Sequence, residues 1–345
     1  MSEIYLVFVV FLFVLAVFDL MVGVSNDAVN FLNSAIGAKV AKIRTIIIVA
    51  AVGVFMGATM SNGMMEVARN GVFHPAMFSL KELMFIFLAV MISDVILLDI
   101  FNNLGLPTST TGSLVFELLG GTTAFVLLKL ANDTTGLTVG DLMNTEKALG
   151  MIMAIFVSVA IAFFFGIVLQ YISRLVFTFT YKKNLKWKIG IFGGVATTAI
   201  FYFMLFKGIK SMSFVTPEIY EYIQNHTLAI LGICFLASTA IMQFLYFLKV
   251  NVFKILVLMG TFALAMAFAG NDLVNFIGVP LAGYSAYTDF AASGASDPST
   301  FMMSSLEGPA KSPMIFLVAA GAVMVFSLAT SKKAHNVIKT SVDLS

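Results

Sequence analysis

Between Ile4 and Val24 the chain runs for 21 residues with one charged side chain, Asp19. As a helix rising about 1.5 Å per residue, such a stretch crosses the ~30 Å apolar core of a bilayer. The pattern recurs near 44–62, 83–101, 106–130, 147–180, 188–207, 227–248, 252–270 and 313–330. A water-soluble fold needs a charged shell, about 25% of residues. Here 11% are charged and 60% hydrophobic. The expected fold is all-α, a polytopic bundle of transmembrane helices embedded in a lipid bilayer. No positive segment precedes residues 4–24 and no A-x-A site follows, so this stretch reads as a span and not as a cleaved leader. A multi-pass protein of the plasma or bacterial inner membrane is expected.

Other features narrow the class. Net charge is +2, so no nucleic-acid partner is implied. Cys234 is the one cysteine, which rules out an intrachain disulfide. His74, His226 and His335 are scattered without an HExxH or CxxC pattern, which argues against zinc-type hydrolysis. No nucleophile-plus-base pair stands out, so an enzyme is not expected.

Stretch 147–180 is too long for one perpendicular crossing, so it tilts or extends past the membrane. Stretch 106–130 opens with Pro107 and carries Ser109, Thr110, Thr111, Glu117, Gly120 and Gly121. It either crosses or re-enters as a hairpin. If all nine stretches cross, three basic clusters fall on one side: Lys39, Lys42 and Arg44; Lys182, Lys183, Lys186 and Lys188; Lys332, Lys333 and Lys339. The acidic loop with Asp133, Asp141 and Glu146 falls on the other. The positive-inside rule then puts the N-terminus outside. Residues 283–312, rich in Gly, Ser and Ala with little periodicity, read as an exposed, mobile outer loop.

Two segments repeat. Residues 25–31 read SNDAVNF and 270–276 read GNDLVNF, five of seven identical at an offset of 245. By crossing parity the copies sit on oppositely directed segments. That is an inverted repeat, the architecture in which broken helices place solute and ion sites near the midplane. Residues 1–248 then form the first repeat with its connecting helices, and 249–345 begin a second. In Asn-Asp-x-x-Asn the first and last members lie about one helical turn apart. Carboxylate and amide oxygens on one face are hard ligands that suit a small cation such as Na⁺. Intramembrane carboxylates are costly, which marks Asp27 and Asp272 as functional; capping of helix ends at the interface is the structural alternative. A third segment, GLPTSTT at 105–111, starts a helix with Pro107 and follows it with hydroxyls. Free N–H groups at a helix start bind anions, although Ser and Thr are also common there for packing.

Together these segments resemble the inorganic phosphate transporter family of the Pit type, which carries a duplicated G-A-N-D-x-x-N signature and a Ser-Thr-Thr after Gly-x-Pro. The matching residues are GVSNDAVNFLNSAIGAKV at 23–40, GLPTSTT, and AGNDLVNFIGVPLAG at 269–283. The resemblance implies that Asn26, Asp27, Asn30, Asn271, Asp272 and Asn275 line an ion and substrate site. Ser109, Thr110 and Thr111 would contact phosphate together with Asn30 and Asn275, and Na⁺ would sit at Asp27 and Asp272 beside Asn26 and Asn271. Three departures stand out: Gly112 where many members have His, Asn33 where Gly is usual, and Val279 as an extra residue before Pro280. The offset of 245 would put a second Ser-Thr-Thr beyond Ser345, so the natural protein is expected to continue.

No Lys or Arg lies within these motifs. Two carboxylates would repel phosphate unless cations sit between, which is a physical reason for coupling. The expected activity is Na⁺-coupled phosphate symport by alternating access, with no cofactor. Alternatives are a proton-coupled phosphate or sulfate permease, an intramembrane enzyme, and a non-transporting subunit. A homo-oligomer stays open. Asp19, Asp94, Asp99 and Glu117 lie in or near spans; Asp19, eight residues before Asp27, shares roughly its helix face.

Overall fold

The computed structural model describes residues 2–61, 67–132, 136–178, 185–208, 216–308, 312–331, 334 and 337–340. Asp133, Lys182, Lys183, Lys332 and Lys333 of the charge pattern lie outside them. Among the described residues, seven helical stretches are long and apolar enough to cross a membrane, with two shorter apolar helices beside them.

The first helix, α1 (Ser2–Gly37), does not stop where the hydrophobic run ends. Val9, Leu12, Ala16, Leu20, Val24, Ala28, Leu32 and Ala35 are buried, and their spacing of three or four makes one stripe along the whole helix. That stripe is the axis of the main core. Around it pack α3 (Leu80–Leu104), α10 (Val252–Asn271), α11 (Gly278–Ser293) and α12 (Met314–Thr330).

Helix α2 (Ile43–Met60) lies against α10 with almost no side chain between them. A Cβ on Gly53 would stand 2.5 Å from the Phe262 carbonyl oxygen, and Gly57 abuts the Met266 carbonyl. Small residues that let backbones touch are the usual means of packing helices in lipid. The ends of α2 and α12 tie to the two motif copies in parallel fashion. The Ser61 hydroxyl donates to the Gly270 carbonyl at 2.6 Å, and the Ser25 hydroxyl to Ser331 Oγ at 2.8 Å.

Helix α4 (Thr110–Ala131) is continuous, so residues 110–131 do not fold back on themselves. It runs antiparallel to α3: near its end Lys129 reaches Glu82 at 3.0 Å and the Met77 carbonyl at 2.8 Å. A capping box of Ser79 and Glu82 starts α3 at that point. The short α5 (Val139–Leu142) leads into α6 (Thr145–Phe177). Helix α6 has only Ala148 and Phe177 buried, one near each end. Phe177 meets Phe192 and Phe253 at 4.9 and 5.4 Å in a second, smaller cluster. That cluster holds α7 (Lys188–Gly208), α9 (Thr227–Phe247) and the start of α10 together, with α8 (Pro217–Asn225) leading into α9.

Residues 283–312 are not the mobile loop their composition implied. Helix α11 continues to Ser293 and buries Gly283, Ala286 and Phe290. The following strap is pinned under the start of α3, where Leu80 N–H donates to the Phe301 carbonyl at 3.0 Å and Met303 N–H to the Phe78 carbonyl at 3.0 Å. Arg69, in the short turn Val67–Gly71, donates to the Ser305 and Leu306 carbonyls. Small residues bury without an apolar period, and backbone partners hold a strap that hydropathy cannot register. Residues 309–311 of this stretch lie outside the described set.

Candidate functional site

The site forms where the start of α4 is held between the two motif copies. Gly105 ends α3 with φ +69°, the left-handed region that glycine adopts without strain. The turn that follows is fixed by Asn26 of α1. Its amide donates to Asn102 Oδ1 at 2.8 Å and to the Leu106 carbonyl at 3.1 Å, and its oxygen accepts from Thr108 N–H at 2.8 Å. Asn102 donates in turn to the Val22 carbonyl at 2.8 Å. Asn26 is thereby a positioning residue, fully buried and engaged by the turn. Asn102 is a site residue that the sequence reading did not single out. Its signal was faint: an Asn pair closing an apolar span just before Gly-Leu-Pro.

With the turn fixed, consecutive threonines face opposite partners. Thr110 donates to Asp27 Oδ2 at 2.8 Å, and Thr111 donates to Asp272 Oδ1 at 2.7 Å. Asn30 donates to Asp27 Oδ1 at 3.2 Å. Asn275 reaches Thr111 Oγ1 at 3.5 Å, while its own carbonyl oxygen is buried with no donor. Ser109 caps α4 by accepting from Gly112 N–H at 3.0 Å. A Cβ on Gly112 would lie 2.9 Å from that hydroxyl, so the cap suits a glycine at this position. Asn271 turns back along its own helix to the Ala267 carbonyl at 3.0 Å.

The structure thus brings Asp27, Asn30, Ser109, Thr110, Thr111, Asp272 and Asn275 into one place, with Asn26 behind it and Asn271 at its edge. Ser109 and Asn30 are exposed, whereas Thr110 and Asp27 are buried. A cavity of about 170 Å³ adjoins Thr111 and Asn275 and is otherwise lined by apolar side chains such as Val67, Leu114 and Met151. The two carboxylates are held by neighbouring residues, Asp27 by Thr110 and Asp272 by Thr111. In the first turn of α4 the Gly112 N–H is taken by Ser109 Oγ and the Ser113 N–H by the Ser109 carbonyl. The N–H groups of Thr110 and Thr111 lack intrahelical acceptors, as at any helix start, which favours an anion there.

The copies also grip each other. The offset of 245 maps Gly23 onto Phe268 and Phe31 onto Phe276. Both crossed pairs are in contact: the Phe276 ring lies on Gly23, and the Phe31 ring lies 6.2 Å from that of Phe268.

The Phosphate transporter family matches this chain over residues 23–341. No curated protein sequence matches it. Among solved structures, one described as "The sodium-dependent phosphate transporter" is similar in fold, with a TM-score of 0.69, 20% identity, and coverage of 98% of this chain and 78% of that one. The family match takes in both motif copies and the Ser-Thr-Thr segment, and the chain belongs to the phosphate transporter family.

Proposed function

We propose that the protein moves inorganic phosphate across a membrane in symport with Na⁺, with Asp27 and Asp272 as cation ligands and Ser109, Thr110, Thr111, Asn30 and Asn275 as phosphate contacts. Membership in a transporter family displaces the membrane-enzyme reading. The observation that carries the proposal is the pair of threonine–carboxylate bonds, Thr110 to Asp27 and Thr111 to Asp272.

A threonine hydroxyl has one proton to donate. Here both are committed to carboxylates, so neither is available to a phosphate oxygen. A cation that binds Asp27 or Asp272 supplies the positive partner the carboxylate needs and releases the hydroxyl to turn toward phosphate. The cation also offsets the repulsion between carboxylates and anion. Each ligand therefore strengthens the other, by the same factor in both directions. The N–H groups of Thr110 and Thr111, at the start of α4, complete the anion side.

The reciprocal grip of the two motif copies supports an inverted repeat and transport by alternating access. The N-terminus is assigned to the outside. Cysteine placed at Ser296 should then label from outside, and cysteine at Lys186 should not. The coupling test is uptake of labelled phosphate by proteoliposomes with and without an inward Na⁺ gradient. Uptake should follow the gradient and be lost in Asp27→Asn and Asp272→Asn. Phosphate and Na⁺ should raise each other's affinity about 5- to 150-fold. Full Na⁺-stimulated uptake by Asp27→Asn would refute the assignment. Uptake that ignores Na⁺ and follows a proton gradient would replace Na⁺ by H⁺ at the same carboxylates.

A further inference from the structure

Two helical turns from the Thr110–Asp27 contact lies a second polar cluster, outside the residues assigned above to phosphate and Na⁺. Asp19 precedes Asp27 by eight residues on α1, Asp94 precedes Asn102 by eight on α3, and Glu117 follows Thr110 by seven on α4. Seven or eight residues are two turns, about 10–12 Å along the axis. Each helix therefore presents two polar side chains on one stripe. The stripes meet through the Thr110–Asp27 and Ser113–Asp94 contacts, and because α4 runs opposite to α3 its later residues return to the level of Asp94. At one end they build the transport site, and at the other they bring three carboxyl groups together.

Asp19 and Asp94 are fully buried. The Asp94 carboxyl lies within hydrogen-bonding reach of both Asp19 and Glu117 and accepts from the Ser113 hydroxyl. Neither oxygen of Asp19 finds a donor, nor do Asp94 Oδ2 and Glu117 Oε2. The charged groups facing Asp19 are Asp94 from α3 and Glu117 from α4. Asp272, from the α10 side, faces Asp27 instead. The strongest charged influences on the cluster are its own members.

Three ionised carboxylates cannot stay together in a bilayer without positive charge. Hard metal cations take about six oxygen ligands, usually with carbonyls among them. This cluster offers carboxyls and one hydroxyl, and no group of three acidic, His or Cys side chains among the described residues is placed to hold a metal. Protons need only what is present: a carboxylic O–H that donates to the neighbouring carboxylate.

We propose that Asp19, Asp94 and Glu117 form a second, proton-binding site of the protein, linked to the transport site through α1 and α4. The link is short. Thr110, Ser113 and Glu117 share one stripe of α4, so a change in Thr110's partner moves Ser113 against Asp94. By reciprocity, the proton count of the trio biases the transport site.

Infrared spectra of the full chain in liposomes, without Na⁺ or phosphate, test the site itself. A carboxylic C=O band should be present and should lose intensity as pH rises. Asp94→Asn and Glu117→Gln should each remove part of that band, and Asp141→Asn should not. A band that ignores pH, its absence at every pH, or its removal by Na⁺ at constant pH would overturn the proposal. The pH profile of phosphate uptake tests the link. Uptake should change up to about tenfold per pH unit for one linked proton, and Glu117→Gln or Ser113→Ala should flatten the profile while uptake persists. An unchanged profile in both variants overturns the link. Absence of uptake in the parent protein would count against the transport reading alone, since the infrared result stands without it.

Discussion

The two copies of the Asn-Asp-x-x-Asn motif have nearly the same sequence and different backbones. The first lies within the unbroken α1, which continues to Gly37. In the second, α10 ends at Asn271, a 3-10 turn covers Leu273–Ile277, and α11 begins at Gly278. The motif residues cannot explain this. Their neighbours can: the position equivalent to Ala35 is Pro280. Proline has no N–H for the Phe276 carbonyl, and its ring clashes with that carbonyl in a continuous helix. Motif chemistry and motif geometry are thus encoded by different residues. One carboxylate, Asp27, is buried on a stiff helix, and the other, Asp272, sits half-buried at a break.

The sharpest way to break the contrast is to give the first copy the second's proline. Ala35→Pro should cost about 3 kcal/mol or more of stability, read as a lowered unfolding midpoint in detergent. A parent-like midpoint would mean that α1 tolerates the break and that the asymmetry has another cause. Next in size is Gly23→Ala, which puts a methyl group where the Phe276 ring lies. A cost of about 1–3 kcal/mol is expected from overpacking. Adding Phe276→Leu should recover part of it, because the two positions touch and their effects should not add.

The threonines offer a finer comparison. Thr110→Val leaves an oxygen of buried Asp27 without its donor, at about 1–3 kcal/mol. Thr111→Val should cost less, since Asp272 is only half-buried. Equal losses would contradict the difference in burial. The smallest effect lies outside both copies. The Thr138 hydroxyl and N–H donate to Asp141 at 2.7 and 2.8 Å and hold its carboxyl below the ordinary carboxylate range. A depressed folded-state value means that this contribution is complete above the unfolded-state pKa and is lost as pH falls through the folded-state value. Protection against hydrogen exchange in α5, corrected for the intrinsic pH dependence of the exchange rate, should therefore fall on acidification, and Thr138→Val should blunt that response.

Hydropathy was enough to find the long helices, because a run such as 4–24 must either span a membrane or hide in a core. The duplicated motif was enough to bring Asp27 and Asp272 under suspicion, and the separate GLPTSTT segment did the same for the threonines. What escaped was set by contacts distant in sequence. The continuation of α1 beyond Val24 depends on a buried stripe that only its neighbours define. The positioning role of Asn26 depends on a turn some 80 residues away. The order in 283–308 rests on Arg69 and on backbone partners from α3, and small residues carry no periodic trace of such support.

Helices α2 and α6 store information in opposite ways. Along α6 nearly every residue faces outward, so what its sequence must preserve is a total: enough apolar surface over enough length. The order of its letters is close to free, and permuting its interior apolar residues should leave the fold legible. Along α2 the order is the message. At Gly53 and Gly57 a single added carbon meets the backbone of α10, so two positions in one helix carry more specification than most of another nearly twice as long.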